Sequence, residues 1–131
     1  MPENPPSTLE VAFNAMREGF GVFDHDLRLI ICNQRFIEIR RYPTELCVPG
    51  VKLADLLRFN AERGDYGDID VDELVDGRIA KVSTFESHEV ERTLMDGSTI
   101  IVRYTPMPTI GVLATFIDIS PLKSAENKPP S

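Results

Sequence analysis

The chain has 131 residues, of which 42% are hydrophobic, and it carries a formal net charge of -7 with a sequence pI of about 4.8. This length and hydrophobic share suit one domain with a modest core, and the excess of acidic groups disfavours nucleic acid and anionic membranes as partners. No apolar run approaches the roughly 20 residues that span a bilayer, and the N-terminus lacks an export pattern, so we expect a cytoplasmic protein without a membrane partner.

Both ends of the chain are polar and rich in proline. We therefore expect residues 1–6 and residues 123–131 to be disordered tails. The single folded domain is predicted to span residues 7–122. Cys32 and Cys47 are too few for a disulfide framework and are not spaced as a metal or redox pair. We expect both thiols to be free.

The first predicted element is an amphipathic helix. Ser7 and Glu10 have the spacing of a capping box, which predicts the start of a helix. Apolar side chains then recur at helical spacing, and the pattern ends at Gly19. They form one stripe, which consists of Leu9, Ala12, Phe13 and Met16.

Two short strands and a helix are predicted next. Branched and aromatic residues over 20–23 and 28–32 favour strands. The Asp-His-Asp stretch at 24–26 between them is typical of a tight turn, and we prefer that interpretation to a metal site. Asn33 has a side chain that can cap the following helix, which Pro43 ends.

Two more helices are predicted in the middle of the chain. The leucines over 53–57 indicate the first, and the stretch 64–67, which contains two glycines, interrupts it. Asp70 is placed to cap the second helix. Apolar residues then recur at helical spacing over 71–82, although the glycine within this stretch weakens the helix.

From residue 87 onward the hydrophobic period changes to two, which predicts strands over 87–94, 99–105 and 112–118. The Asp-Gly pair at 96–97 is typical of a tight hairpin turn. Because proline cannot donate a hydrogen bond to a strand ladder, the segment 106–111, which contains two prolines, is predicted to be a loop.

Three local motifs occur in an informative order. They are Ala15-Met16-Arg17-Glu18-Gly19-Phe20-Gly21-Val22-Phe23-Asp24, Cys32-Asn33-Gln34-Arg35-Phe36 and Ala61-Glu62-Arg63-Gly64. Together with the order of elements, they resemble a PAS domain of the PAS-fold subgroup found beside bacterial histidine kinases and diguanylate cyclases. The resemblance implies an α+β fold with a five-stranded antiparallel sheet and helices over one face. It also implies a concave face that can hold a small ligand, and a first helix that packs on the outer face and builds a homodimer.

The resemblance also places one face of the last three strands toward the pocket. Alternation alone groups the same residues without deciding which group faces inward. The strand residues that it turns inward are Val90, Arg92, Leu94, Ile100, Val102, Tyr104, Val112, Ala114 and Phe116. The other pocket candidates are Cys32, Phe36, Leu57 and Ile79. The candidates for a dimer interface are the outer-face residues Ile101, Leu113 and Thr115 with the helix stripe of Leu9, Ala12, Phe13 and Met16.

Two of the pocket candidates are polar, and each has two interpretations. Arg92 is the one permanent charge in the inward set, where an unpaired guanidinium would be costly. It either anchors a ligand carboxylate or phosphate, or it pairs with Asp or Glu of the middle helices or lies in water at a strand edge. Tyr104 either bonds a ligand through its hydroxyl or is a half-buried strand tyrosine with its tip in water.

The resemblance disfavours both haem and flavin as cofactors. Haem-binding relatives usually carry a histidine on the helix before the third strand, and residues 70–83 contain none. Photoactive flavin relatives carry an Asn-Cys-Arg-Phe-Leu motif that is absent from this sequence. Asp118 and Ser120 belong to an Asp-Ile-Ser ending that is similar to the family's link to a signalling helix. The alternative is that this ending merely terminates a strand.

We therefore expect a non-catalytic sensory module that homodimerises and has a small-molecule ligand and a histidine kinase or cyclase output domain as partners. The first alternative is a constitutive dimerisation or docking domain with a filled core. The competing class is a small enzyme with His88 or Asp118 as general base. The sequence disfavours an enzyme because it contains no nucleophile and base pair, no phosphate-binding glycine loop and no metal cluster at ligand spacing.

Overall fold

Five strands form one antiparallel sheet in a computed structural model that describes residues 8–94 and 96–120. The strand order is β2-β1-β5-β4-β3, so the predicted α+β fold with a five-stranded antiparallel sheet is confirmed. The elements in chain order are α1 (Thr8–Ala15), β1 (Gly19–Asp24), β2 (Leu29–Cys32), α2 (Gln34–Arg40), a short 3-10 helix (Thr44–Leu46), α3 (Leu53–Glu62), α4 (Val71–Val82), β3 (His88–Thr93), β4 (Thr99–Met107) and β5 (Gly111–Asp118). Both predicted tails and the predicted capping residue Ser7 lie outside the described residues.

The inner face of the sheet carries the apolar set of each strand. Buried residues alternate with more exposed ones along β4 as far as Tyr104, whereas in β5 Thr115 is buried between the inner-face residues Ala114 and Phe116. β4 pairs with β5 so that Val102 faces Phe116 and Tyr104 faces Ala114. These residues join side chains of α2, α3 and α4 in one hydrophobic cluster. None of the helices within the described ranges is long and apolar enough to cross a membrane.

Two helices begin where the sequence predicts a capping side chain. Asn33 Oδ1 accepts a hydrogen bond from the N–H of Phe36 at 3.0 Å, and Asp70 Oδ1 accepts one from the N–H of Glu73 at 3.0 Å. Asn33 is fully buried and also accepts a hydrogen bond from the N–H of Phe20, which fixes the start of α2 against β1.

Helix α2 lies very close to β1 because β1 contains glycine where the two elements meet. A Cβ atom at Gly19 would lie 2.7 Å from Cα of Phe36, and one at Gly21 would lie 2.6 Å from the Phe36 ring. The ring of Phe36 stacks on that of Phe116, with centres 4.5 Å apart and planes 12° apart. The glycines of β1 therefore allow α2 to place its aromatic side chain directly on the centre of the sheet.

Two element boundaries differ from the prediction. The segment 106–111 is not wholly a loop, because β4 continues through Pro106 to Met107 and β5 begins at Gly111. β3 pairs with β4 only as far as the pair of His88 and Tyr104. Beyond that pair β4 has no neighbouring strand on one side within the described residues. A proline can therefore occupy this part of the strand, because no hydrogen bond to a neighbour is lost there. The first helix ends at Ala15, earlier than the predicted end at Gly19.

Replacement of Gly19 by alanine should lower stability. The new Cβ would meet the backbone of α2, which cannot move as a flexible side chain can, and such overpacking typically costs about 1–3 kcal/mol. The matched control is Gly77→Ala, because Gly77 lies within α4 in open space and alanine should stabilise a helix interior by about 0.5–1 kcal/mol. Urea unfolding measures both variants, and equal midpoints for Gly19→Ala and the wild type would contradict the close contact.

Candidate functional site

A cavity lies between the inner face of the sheet and helices α2, α3 and α4. Its mouth is formed by four half-exposed residues, which are Tyr66, Arg78, Val90 and Arg92. Its floor is formed by ten buried residues, which are Phe36, Arg40, Tyr42, Leu53, Leu57, Asn60, Val102, Tyr104, Ala114 and Phe116. The volume that the centre of a water molecule can reach inside the cavity is about 20 Å³. This space holds roughly one water. The cavity is therefore almost filled by its own side chains in this conformation.

The floor contains a buried positive charge. Arg40, at the end of α2, is 2% exposed, and its Nη2 donates a hydrogen bond to the hydroxyl of Tyr66 at 2.9 Å. The same Nη2 lies 3.6 Å from Oδ2 of Asp65, and Cζ lies 5.8 Å from the centre of the Phe116 ring. Nε of Arg40 is buried and has no hydrogen-bond partner among the described residues. The guanidinium of Arg40 thus has a carboxylate near its Nη2, whereas its Nε has no acceptor among the described residues.

The carboxylate of Asp65 joins two arginines. Oδ2 of Asp65 lies 2.9 Å from Nε and 2.7 Å from Nη2 of Arg63. The same oxygen also contacts Arg40. Arg63 also donates to the backbone carbonyls of Arg40 and Arg41, the carbonyls at the end of α2. A cation at this helix end is favourable because the carbonyl dipoles point toward it. The ends of α2 and α3 are therefore held by one set of charges.

Two tyrosine hydroxyls and one amide make the floor polar. Asn60 is buried, and its Nδ2 donates to the hydroxyl of Tyr42 at 3.1 Å and approaches that of Tyr66 at 3.5 Å. Burial raises the pKa of Tyr42 to about 12 and also raises the pKa of Tyr104, because a phenolate is poorly solvated there. Both phenols are neutral at physiological pH, so they add polar groups to the floor without adding charge.

The mouth brings guanidinium groups together around one aromatic ring. Cζ of Arg78 lies 5.6 Å from the centre of the Tyr66 ring, and Cζ of Arg92 and of Arg40 each lie 5.9 Å from it. Guanidinium groups at this distance are attracted to the electron-rich face of a tyrosine. Tyr66 lies in the glycine turn (residues 64–67), where Gly64 and Gly67 both have positive φ. The aromatic centre of the mouth is therefore carried by a turn and not by a helix or strand.

The structure brings together most of the residues that were predicted to form the pocket. The eight that line the cavity are Phe36, Leu57, Val90, Arg92, Val102, Tyr104, Ala114 and Phe116. The remaining five lie elsewhere. Ile100 and Val112 are in the buried core, and Cys32 is half-buried beside it. Leu94 lines a separate depression that also includes Arg40, and Ile79 lines one near the β1–β2 turn.

The carboxylate partner that was one alternative for Arg92 is absent from the described part of the chain. Its guanidinium contacts the Tyr66 ring, and Nη1 donates to the carbonyl of Glu91 at 3.4 Å. Tyr104 is buried, with its ring stacked on that of His88 at 4.9 Å between centres. Tyr104 is therefore buried and not half-buried, as that alternative had it.

The candidates for the dimer interface lie on the outer face and on α1. Ile101 and Leu113 are half-buried, whereas Thr115 is buried. Ala12 and Met16 are exposed, and the side chains of Leu9 and Phe13 lie outside what the structure describes. The candidates for signal transfer close the last strand: Asp118 Oδ1 accepts the N–H of Ser120 at 2.9 Å, and Ser120 Oγ accepts the N–H of Thr99 at 2.8 Å.

Sequence reasoning missed six residues of the lining, which are Arg40, Tyr42, Leu53, Asn60, Tyr66 and Arg78. Two of them carried a usable signal. Arg40 lies four residues after Phe36, and Arg78 lies three residues after Val75, so each falls on the buried stripe of its helix. Tyr66 lies in a turn, where no periodicity exists to indicate its direction.

Groups for chemical catalysis are sparse in the described residues. No group of three or more His, Cys, Asp or Glu side chains there could hold a metal ion. Cys32 and Cys47 are free, and burial raises the pKa of both thiols, that of Cys47 to about 12. A thiol with a raised pKa is a weak nucleophile at neutral pH.

A single antiparallel sheet with helices and a polar cavity on one face defines an α+β domain with an internal cavity. A family model described as the PAS fold matches residues 13–127. The chain therefore belongs to the PAS family, as its sequence motifs indicated. Domains of this family serve as sensory modules in signalling proteins.

Solved structures share this fold at low sequence identity. The PAS domain of Bordetella pertussis BvgS has a TM-score of 0.56 and 15% identity, and the match covers 91% of this chain and 92% of that one. The RpfR quorum-sensing receptor PAS domain of Cronobacter turicensis, in complex with BDSF, has a TM-score of 0.52 and 17% identity, with 79% and 95% covered.

The sensor region of a sensor histidine kinase has a TM-score of 0.57 and 17% identity. That match covers 94% of this chain and 44% of the kinase chain, so the present chain spans less than half the length of that relative. Identities at this level show a common fold alone. No curated protein matches the chain in sequence.

Replacement of Asp65 by asparagine should destabilise the domain. The change keeps the shape of the side chain but leaves Arg40 and Arg63 without their shared carboxylate, and removal of one partner from a buried ion pair costs about 3 kcal/mol or more. Asp72→Asn is the control, because Asp72 pairs with Arg58 in a solvent-exposed bridge that contributes little. Urea unfolding compares the two variants, and similar small effects would contradict a structural role for the buried carboxylate.

Stability should fall between about pH 10 and pH 12. Above pH 10 the unfolded chain loses the Tyr42 proton, whereas the folded state keeps it until about pH 12. The unfolded state then binds fewer protons, so the free energy of unfolding decreases as pH rises. Tyr42→Phe should remove part of this decrease. Urea unfolding at several alkaline pH values measures it, and an unchanged slope in the variant would show that Tyr42 titrates normally.

Proposed function

We propose that this PAS domain is a non-catalytic sensory module that binds a small molecule in the cavity between the sheet and α2–α4. The observation that carries the proposal is the polar lining of that cavity. A guanidinium, an amide and tyrosine hydroxyls meet inside the core. Apolar side chains of similar volume would generally make a core at least as stable, so these groups have a use other than stability.

The glycine turn offers a way for a ligand to enter. The cavity is almost full, so a ligand larger than water must displace a group of the lining. Tyr66 is the candidate because it lies between two glycines with positive φ, at Gly64 and Gly67. A ligand shifts such an equilibrium only if it binds the open form better than the closed one. The complex of the RpfR PAS domain with BDSF supports the general idea that a domain of this fold takes a small molecule.

The proposal includes homodimerisation through the outer face of the sheet and α1. Ile101 and Leu113 lie on that face and are only half-buried, and Ala12 on α1 and Met16 just after it are exposed. Burial of these apolar groups in a two-fold contact would stabilise a dimer.

The proposed setting is a cytoplasmic bacterial signalling pathway, with a histidine kinase or cyclase as output partner. The similarity to a kinase sensor region supports that setting.

A second candidate function is a constitutive dimerisation or docking domain with a filled core. The observation that favours it is the free volume of about 20 Å³, which leaves no room for an organic ligand in this conformation. This candidate shares the outer-face dimer with the first. The two differ in whether the purified protein takes up a small molecule.

Native mass spectrometry should detect a dimer with extra mass that disappears under denaturing conditions. Val90→Trp should abolish the extra mass, because Val90 is half-exposed at the mouth and the indole would fill the cavity. The control is Thr93→Trp, which adds the same indole to an exposed, outward-facing site of the same strand. It should keep the extra mass.

Three results would count against the ligand sensor. A dimer of bare chain mass whose melting temperature does not respond to a metabolite panel would favour the docking domain. Extra mass that survives Val90→Trp would place the ligand outside the cavity. A monomer at micromolar concentration would contradict the proposed outer-face dimer.

A further inference from the structure

Arg78 at the mouth of the cavity has no acidic partner in the described part of the chain. A helical ion pair would require Asp or Glu three or four residues away. The residues at those positions are Leu74, Val75, Lys81 and Val82. Its contact is the ring of Tyr66, with 5.6 Å between Cζ and the ring centre. This half-exposed cation is therefore stabilised by an aromatic face and not by a carboxylate.

Arg92 is in the same situation on the opposite side of the mouth, on edge strand β3. Its cross-strand neighbour is Ile100, and its neighbours two residues away along the same face are Val90 and Leu94. None of these side chains is acidic. Arg78 on α4 and Arg92 on β3 thus both contact the ring of Tyr66. Neither has an acidic residue at the neighbouring helix or sheet positions that usually provide an ion-pair partner.

The charge of the whole cluster is positive. It contains the guanidinium groups of Arg40, Arg63, Arg78 and Arg92 and one carboxylate, that of Asp65. The chain as a whole has a formal net charge of -7. A concave site with a local excess of positive charge attracts anions even on an acidic protein, because low-dielectric walls focus the field.

An independent observation points to a missing acceptor inside the cavity. Arg40 lines the floor and is 2% exposed, and its Nε has no hydrogen-bond partner among the residues described. A buried donor without an acceptor is costly, and native structures rarely leave one unsatisfied. An oxygen that enters the cavity past Tyr66 would meet this donor.

We infer that the ligand of the cavity is a small anion whose carboxylate or phosphate oxygens bind Arg78 and Arg92, with Arg40 behind them. The inference rests on the proposed sensory function and specifies the ligand's chemical class. Without a ligand, the hydroxyl of Tyr66 accepts a hydrogen bond from Nη2 of Arg40. The Tyr66 ring contacts the guanidinium groups of both mouth arginines, Arg78 and Arg92. Tyr66 is therefore the internal group that the anion displaces.

The test is an NMR titration of arginine Nε–Hε and backbone amide signals. The probes are inorganic phosphate, acetate and succinate against sodium chloride at equal ionic strength, with neutral succinamide as the uncharged analogue. We expect saturable binding of at least one anion and none of succinamide. A preference for phosphate assigns a phosphorylated ligand, and a preference for succinate or acetate assigns a carboxylate. Either preference supports the inference.

Methionine variants identify the binding residues. Arg78→Met and Arg92→Met keep an unbranched stem without the charge and should each raise the dissociation constant about tenfold or more, as expected for a charge-assisted hydrogen bond. Arg103→Met is the matched control, because Arg103 pairs with Glu89 on the outer face of the same sheet. It should bind the anion as the wild type does. Unchanged affinity in both mouth variants would overturn the inference.

The same variants separate this inference from the proposed function. If the molecule found by native mass spectrometry is neutral, disappears in Val90→Trp and survives in Arg92→Met, the cavity binds a ligand but not an anion, and the inference alone fails. If no probe binds and no molecule is displaced by Val90→Trp, the proposed ligand sensor fails as well.

Discussion

The buried charge of Arg40 is the constraint on which the middle of the chain depends. A guanidinium that is 2% exposed must be balanced nearby, and the balancing groups, Asp65 and Tyr66, lie on the glycine turn. Asp65 also holds Arg63, whose other donors bond to the carbonyls at the end of α2. One set of charges therefore fixes two helix ends and a turn, a task that apolar packing does not perform with the same directional precision.

This arrangement joins the cavity to an irregular part of the fold. Phe36 and Phe116 stack beneath the cavity and are held rigidly, because the glycines of β1 bring α2 onto the sheet. Tyr66, above it, lies on a short turn with solvent-accessible neighbours. Because Tyr66 lies on a turn, a ligand group with the same chemistry can replace its hydroxyl next to Arg40. A partner on a central strand could not be replaced in this way. The floor of the cavity is thus positioned by the packing of α2 on the sheet, whereas Tyr66 is positioned by the turn.

The sequence predicts what is local and misses what depends on distant contacts. The caps at Asn33 and Asp70 and the alternation along β4 follow from neighbours within a few residues, and each is confirmed. In β5 the alternation is broken by Thr115, which is buried as well. The contact between Arg40 and Tyr66 joins residues 26 apart in the chain. Periodicity places Arg40 on the buried stripe of α2, but it cannot name a partner in an irregular turn. The strand through Pro106 was missed for a related reason, because its tolerance depends on where β3 ends.

The register of the sheet connects the mouth of the cavity to the end of the last strand. Arg92 on β3 faces Ile100 on β4, and Ile100 faces Asp118 on β5, so the three residues form one row across the sheet. Opposite residues of an antiparallel pair have Cα atoms roughly 5 Å apart, and Ser120 ties this row to the start of β4 through Thr99. In the proposed mode of binding, an anion held by Arg92 would therefore act two strands away from the Asp-Ile-Ser ending. This row is one continuous path of paired residues from the mouth of the cavity to the end of β5, and Phe116, which lines the cavity on β5 itself, lies two residues from Asp118.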